Sequence, residues 1–495
     1  MAYWDRREAV QGYLRKQGWR GWLLMDFQGS NPLFWQVLGR RPEGSHVTRR
    51  TFCWIPAVTE GGAGLAGEGR AAAGGERVDG VVVLVHAIEA RALVDDRWAV
   101  RTYHDHASLV AALEALGLTG GTVAMEYSPL GRLPYVSRVD GGTLDLVRSL
   151  GAEVATSADL LQLAIARWDE RQIEQHARAA RLVDQVKNEA FALVGDRLRA
   201  GAPIDEYAVA SFILERFAAL DLPTVYGPTV AAGPNSANPH YEPTATASRR
   251  IARDDWLLID LWARVNEPGS PYADVTWVAW TGPSPVPAHH REVFEHVRRA
   301  RDLALERLRA SAAAGRAPEG WEIDRAVRDY VAAAGFGPLF THRTGHNLGP
   351  EELHGSAGVC LDDFETHDTR RVLPGVAFSV EPGIYLPGEF GVRLELNAVM
   401  TPTGPRVYTP VQDAIITLVR PRSAQTTAGG PRSVRPARRT GRRRSARDTW
   451  TPTRLSWPSG RLRGRQRGRR RGPIDPRAAG REGRPRSRRS IRPAA

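Results

Sequence analysis

The chain has 495 residues, 42% of them hydrophobic, enough for two or three domains with sizeable cores. Its formal charge of +13 is unevenly spread. Residues 421–495 hold 24 Arg and 3 acidic residues, which leaves about −8 for residues 1–420 and puts the basicity in the tail, not the folded body. Cys53 and Cys360 are the only cysteines, which excludes a disulfide framework and a thiolate metal site and fits a reducing cytoplasm.

The opening MAYWDRREAV is charged and has no apolar h-region, so it does not read as a signal peptide. REAVQGYLRKQGW has the pattern of an amphipathic helix, and WRGWLLMDF follows as a strand. RRTFCWIPA and GVVVLVHAI read as further strands; the latter is too short to span a bilayer. The stretch between Val58 and Val78 is rich in Gly and Ala and reads as a loose turn. HASLVAALEALG predicts a helix, TVAMEYS a strand, GTLDLVRSLG a helix and AEVATS a strand. Residues 1–166 therefore read as an α/β domain.

A long helical run, ARWDERQIEQHARAARLVDQVKNEAFALVGDRLRAG, starts a second unit. IDEYAVASFILERFAAL is its second helix. Strands are predicted at Thr229, WLLIDLWA and ADVTWVAW, then helices at REVFEHVRRARDLALERLRA and WEIDRAVRDYVAAAG. GVAFSVEPGIY and GVRLELNAVM read as one strand each. Residues 167–420 thus form a sheet with helices packed on it. From 421 to 495 the chain is Arg, Pro, Gly and Ser without apolar periodicity, and reads as a disordered tail.

In this second unit Asp260, Asp274, Glu381 and Glu395 each interrupt an apolar strand pattern, and His346 stands among glycines. A charge inside a strand core is costly unless it is paired or binds a metal. Four such acids and one imidazole imply convergence on something cationic. Hard oxygen ligands suit Mn, Co or Zn pairs, and two carboxylates can bridge ions about 3.5 Å apart, the arrangement of two-metal hydrolases. His346 lies in THRTGHNLGPEELHG, where His342 and His346 have the i, i+4 spacing of a helical zinc pair. That pair needs Glu directly after the first His, and Arg343 stands there; Gly345, Gly349 and Pro350 also argue against a helix.

The order Asp, Asp, His, Glu, Glu, in the contexts ADVTW, GHNLG, VEPGIY and GVRLE, resembles the pita-bread metallopeptidases of peptidase family M24, the family of aminopeptidase P, prolidase and methionine aminopeptidase. The resemblance covers residues 167–420, and the preceding domain is similar to the creatinase-type amino-terminal domain, which favours the aminopeptidase P and prolidase branch. It implies an α+β pita-bread catalytic domain that binds two divalent metal ions, Mn first, with Co or Zn as alternatives. The metal ligands would be Asp260, Asp274, His346, Glu381 and Glu395, with Asp274 and Glu395 bridging. A metal-bridging hydroxide would attack the carbonyl of an Xaa-Pro bond, at a peptide N-terminus or in a dipeptide, and Glu381 would pass the proton to the leaving amine. His240, in NPHYEP, would sit near the proline. His354 would stabilise the developing oxyanion. His342 would line the outer pocket, and Arg393 would hold a bridging or substrate carboxylate. A homodimer is also implied.

Two departures from the family pattern bear on pocket shape: Trp262 where a small residue is usual, and Trp277 where Arg is frequent. The hairpin between Asp260 and Asp274 is also longer than usual. A second reading, a non-catalytic pita-bread binding module whose Arg-rich tail contacts nucleic acid or an acidic partner, conflicts with the full ligand set. The tail shows no nucleic-acid-binding fold, so nucleic acid is not the expected partner. A metal-independent creatinase-type hydrolase would lack the acidic set. The expectation is a cytoplasmic exopeptidase without a membrane anchor.

Overall fold

A computed structural model describes residues 2–39, 47–58 and 80–419. The Gly/Ala-rich segment after Val58 and the expected disordered tail from residue 421 lie outside the described residues.

The amino-terminal sheet contains β1 (Gly21–Asp26), β2 (Thr51–Pro56), β3 (Val82–His86), β4 (Ala99–Tyr103), β5 (Thr122–Met125) and β6 (Glu153–Thr156). Their order is β4-β3-β2-β1-β5-β6, with β2 antiparallel to both β1 and β3 and the other pairs parallel. Its central strands β3, β2, β1 and β5 are largely buried on both faces, and the two-residue period sorts their side chains. Trp22, Leu24, Cys53 and Ile55 join one core with α1 (Tyr3–Gln17) and α2 (Pro32–Leu38). Leu23, Met25, Phe52 and Trp54 join another with α3 (His106–Glu114) and α4 (Gly141–Ser149). Cys53 and Cys360 are both buried and unbonded.

After the short α5 (Ala158–Leu161), the chain forms α6 (Glu170–Arg199) and α7 (Glu206–Ala219), each opened by an Asp whose side chain accepts from a backbone N–H of the first turn. β7 (Thr229–Ala232), β8 (Trp256–Ala263), β9 (Ala273–Trp280) and the late β15 (Ile416–Thr417) make a sheet ordered β15-β9-β8-β7. Odd-numbered residues of β8 and β9, among them Leu257, Ile259, Leu261 and Val275, pack against α6 and α7. Even-numbered Trp256, Leu258 and Val278 face the other core, built on α8 (Ala288–Ala313) and α9 (Gly320–Ala333). Asp260 and Asp274 share that even parity.

GVAFSVEPGIY and GVRLELNAVM, expected as single strands, are each two. β10 (Ala377–Val380) and β11 (Gly383–Leu386) are parted at Glu381 and Pro382; β12 (Phe390–Arg393) and β13 (Leu396–Thr401) are parted at Leu394 and Glu395. β10 and β13 pair with each other and with β14 (Gly404–Val407), while β11 and β12 form a separate ribbon. Pro382 has no N–H for a ladder, which ends β10 there. The two breaks free Glu381 and Glu395 from a regular pleat. Their own N–H groups instead donate to Thr344 O at 2.8 Å and Thr276 O at 3.2 Å.

The amino-terminal domain also holds the loop that carries the histidines. Tyr135 Oη accepts from Arg343 Nη1 at 2.5 Å, Gln36 Nε2 donates to Glu352 Oε1 at 3.0 Å, and the fully buried Gln162 accepts from Val359 N at 2.9 Å. No helix among the described residues is long and apolar enough to cross a membrane.

One acid in this domain is buried away from any cavity. Glu126, wholly inaccessible, accepts from Trp22 Nε1 at 2.7 Å, Asn31 Nδ2 at 3.2 Å and Ser157 Oγ at 3.2 Å. Burial outweighs these donors and pushes its pKa up from 4.5 to about 7. The folded chain therefore holds this proton where the unfolded chain has lost it, so stability falls as pH rises from about 4.5 to about 7 and is flat in this respect above. Glu126→Gln should remove a slope on the order of 3 kcal/mol across that window. Thermal midpoints at pH 5 and pH 8 check it: the variant's drop should be smaller than the wild-type drop.

Candidate metal centre

In the β8–β9 pairing Asp260 stands opposite Thr276 and Asp274 opposite Trp262, so the two aspartates are diagonal neighbours on one face. Glu395, from the break after β12, reaches the same face: its Oε2 accepts from Thr276 Oγ1 at 2.9 Å. His346 arrives on the loop before β10, where none of THRTGHNLGPEELHG is helical. Gly345 is required there, since a Cβ would stand 2.0 Å from the carbonyl oxygen of Ser379. Ser379 ties the loop to the strand break: its Oγ accepts from His346 N at 2.9 Å and donates to Glu381 Oε1 at 2.8 Å.

All five expected ligand side chains line one cavity of about 430 Å³, together with His240, His354 and Arg393. Asp274, His346 and Glu395 each offer a ligand atom within 4.8 Å of the others. His346 Nε2 lies 3.5 Å from Asp274 Oδ2 and 3.3 Å from Glu381 Oε1. Its Nδ1 faces Asn347 O at 3.1 Å, an acceptor only, so Nδ1 carries the hydrogen and Nε2 keeps its lone pair toward the acids. Asp260 sits apart from the closest trio, its Oδ2 accepting from Arg393 Nη2.

Burial and mutual repulsion dominate the electrostatics of this cluster. Burial pushes Asp274 up to about 7, with the nearby Asp260 and Glu381 adding to the shift. Burial and the charges of Asp274, Glu381 and Asp260 hold Glu395 far above the usual range. Asp260 is also raised by burial, although Arg393 opposes the shift. In Glu381 burial is outweighed by its surroundings, among them the Arg393 guanidinium and the Ser379 hydroxyl, which hold it below the usual carboxylate range. Asp260 Oδ1, Asp274 Oδ1 and Glu395 Oε1 are buried and have no hydrogen-bond partner among the described residues. Unpaired buried carboxylate oxygens are expensive, and three of them beside an imidazole lone pair fit a divalent cation in chemistry and in placement.

The remaining expected residues divide. His354 lines the cavity with its ring perpendicular to that of His346, centroids 4.2 Å apart; the neighbouring His346 and burial lower it to about 3, so it is neutral. His240 is exposed on the cavity rim. His342, expected to line the outer pocket, instead stands behind Tyr385. Its Nδ1 lies 2.8 Å from Arg343 O and its Nε2 2.8 Å from Tyr385 Oη. Burial lowers it to about 4, so it is neutral, with Nδ1–H donating to the carbonyl and Nε2 accepting from the tyrosine. Tyr385 Oη in turn accepts from Arg393 Nη1 at 3.1 Å. In this chain Arg393 holds the carboxylate of Asp260, where a bridging or substrate carboxylate was expected. Tyr385 and His342 behind it were not foreseen as its support; the Tyr in EPGIY is an ordinary strand residue by type.

Trp262 lines the cavity, its Nε1 donating to Val225 O at 2.5 Å. Trp277, expected to alter the pocket too, has odd parity and faces α6, where Lys187 Nζ lies 3.2 Å from its ring centroid. It does not shape the cavity.

Residues 174–402 match a family model described as metallopeptidase family M24. An Xaa-Pro dipeptidase of Lactobacillus helveticus is 33% identical over 180 residues, 36% of this chain and 44% of the relative. A probable dipeptidase PepE of Mycobacterium tuberculosis is 30% identical over 275 residues, 53% of this chain and 63% of the relative. The chain thus spans less than two thirds of the length of these curated relatives. The crystal structure of dipeptidase PepE from Mycobacterium ulcerans shares its fold with a TM-score of 0.57 at 22% identity, over 84% of this chain and 98% of that one. The fold is the α+β pita-bread arrangement behind a smaller α/β domain.

Removing one of the crowded acids should stabilise the metal-free protein. Glu395→Gln is expected to raise its thermal midpoint, by the equivalent of about 1–2 kcal/mol, and to shrink any further rise that an added divalent cation produces in the wild type. Differential scanning calorimetry with and without metal reads both effects.

Proposed function

With residues 174–402 belonging to metallopeptidase family M24, we propose that this chain is a dinuclear-metal exopeptidase that hydrolyses Xaa-Pro bonds at peptide N-termini or in dipeptides. The observation that carries this reading is the cluster of orphaned carboxylate oxygens facing the His346 lone pair inside a cavity large enough for a short peptide. Asp260, Asp274, His346, Glu381 and Glu395 would hold two divalent cations, manganese being the first to test. Bound there, such ions supply Lewis acidity toward the peptide carbonyl and make water acidic at neutral pH.

The chain's own groups do the rest. Glu381, held ionised and oriented by Ser379, takes a proton from the attacking water and returns it to the proline nitrogen as the bond breaks. His354, neutral and free of other hydrogen-bond partners among the described residues, donates to the carbonyl oxygen as negative charge grows on it. His240, on the rim, borders the proline side of the cavity. Arg393 holds Asp260 in place through a hydrogen bond and is itself braced by Tyr385 and Thr276. Trp262 narrows the cavity where a small residue would leave it open. The two free, buried thiols support a cytoplasmic location as part of the same proposal.

The test is release of the amino-terminal residue from Xaa-Pro dipeptides and Xaa-Pro-Yaa tripeptides by Mn-, Co- and Zn-loaded protein. Absence of release from every peptide with every metal would sink the reading. His354→Ala should lower kcat by about 10²–10³ while metal content by elemental analysis stays at the wild-type level, because His354 acts on the substrate and not on the ions.

A further inference from the structure

Besides the acid cluster, the cavity is lined by Tyr226, Gly227, Tyr241, Glu242 and Trp262, of which Tyr226 and Glu242 are exposed to solvent. Glu242 is exposed there, and its carboxylate lies beside Gly227, where a Cβ would stand 3.5 Å from Oε1. It makes no hydrogen bond or ion pair with any described residue. The other acids of the cavity belong to the inner cluster. Arg393, the one arginine among the described lining residues, directs its nitrogens inward, to Asp260, to Thr276 Oγ1, and to Pro239 O and Tyr385 Oη. No lysine lines the cavity among the described residues. This part of the cavity therefore presents one uncommitted carboxylate between aromatic side chains, and both features attract a cation while repelling an anion.

We propose that Glu242 receives a cationic group of the peptide substrate, so that this part of the cavity favours a positive over a negative group at the position it faces. This rests on the peptidase reading and narrows its substrate class. Two sources supply such a group: the α-ammonium of the peptide and the side chain of Lys or Arg.

The experiment compares wild-type and Glu242→Gln full-length protein, Mn-loaded, on Lys-Pro-Ala, Ala-Pro-Lys, Ala-Pro-Ala and Glu-Pro-Ala. Wild-type protein is expected to favour one of the Lys peptides over Glu-Pro-Ala about tenfold in kcat/KM, and the variant to bring that ratio toward one. Which Lys peptide loses its advantage shows whether the group comes from before or after the proline. A rise in KM of similar size for all four peptides identifies the α-ammonium instead. If the variant changes neither the ratios nor any KM, the proposal is overturned, while wild-type turnover of Ala-Pro-Ala still upholds the peptidase reading. If no peptide is hydrolysed, that reading fails and calorimetric binding of the same four peptides to metal-free protein decides the matter: a preference for Lys peptides that the variant loses supports it, and equal affinities in both proteins overturn it.

Discussion

Bringing four carboxylates into an apolar interior is the constraint on which this structure turns. Each would cost several kcal/mol if left ionised without a partner, and like charges so close add to the cost. Arg393 offsets part of it at Asp260, and Ser379 with His346 part of it at Glu381. Asp274 and Glu395 are left with raised pKa values and bare oxygens. A protein that gathers charge in this way gives up stability for a binding site, and the surrounding framework supplies what is lost. Two large apolar cores flank the cluster, one under α6 and α7 and one under α8 and α9.

The backbone is arranged to serve that gathering. Strand parity sends Asp260 and Asp274 to the face opposite α6, and the two strand breaks release Glu381 and Glu395 to turn toward it. The loop with His346 can approach only because Gly345 has no side chain to meet the Ser379 carbonyl. That loop is then held from the other side by Tyr135, Gln36 and Gln162 of the amino-terminal portion. The two halves of the chain are thus coupled at the histidines, and a change in the amino-terminal core would be felt as a change in where His346 and His354 stand.

Much of this was legible in the sequence. The longer helices appeared where their apolar periodicity put them, because each buries one face and the 3.6-residue period records that directly, whereas the short α2 and α5 were not anticipated. The five expected ligand residues, scattered over Asp260 to Glu395, do meet in one cavity; an acid in an apolar strand is conspicuous because burial without compensation is so costly. The strand breaks were missed because apolar character continues through them: Leu394 and Leu396 are buried on either side of Glu395 even though the ladder changes partner there. Trp277 was misjudged although the two-residue period already sets it, three positions after Asp274, on the opposite face of β9.

By itself, then, the sequence determined an early alternation of helices and strands, a later sheet with helices packed on it, and the identities of the charged residues that the interior would have to accommodate, since hydrophobic period and the cost of buried charge act locally; the α+β class came from the family resemblance. Only the tertiary structure decided how those residues share the load. That His342 lies behind Tyr385 instead of in the cavity, and that, among the described residues, Arg393 is wholly engaged while Glu242 and three carboxylate oxygens find no partner, are consequences of distances between segments a hundred or more residues apart or across a loop. Hydrogen-bond partners are chosen by angstroms of separation in the folded chain, and nothing in residue type or spacing records that choice.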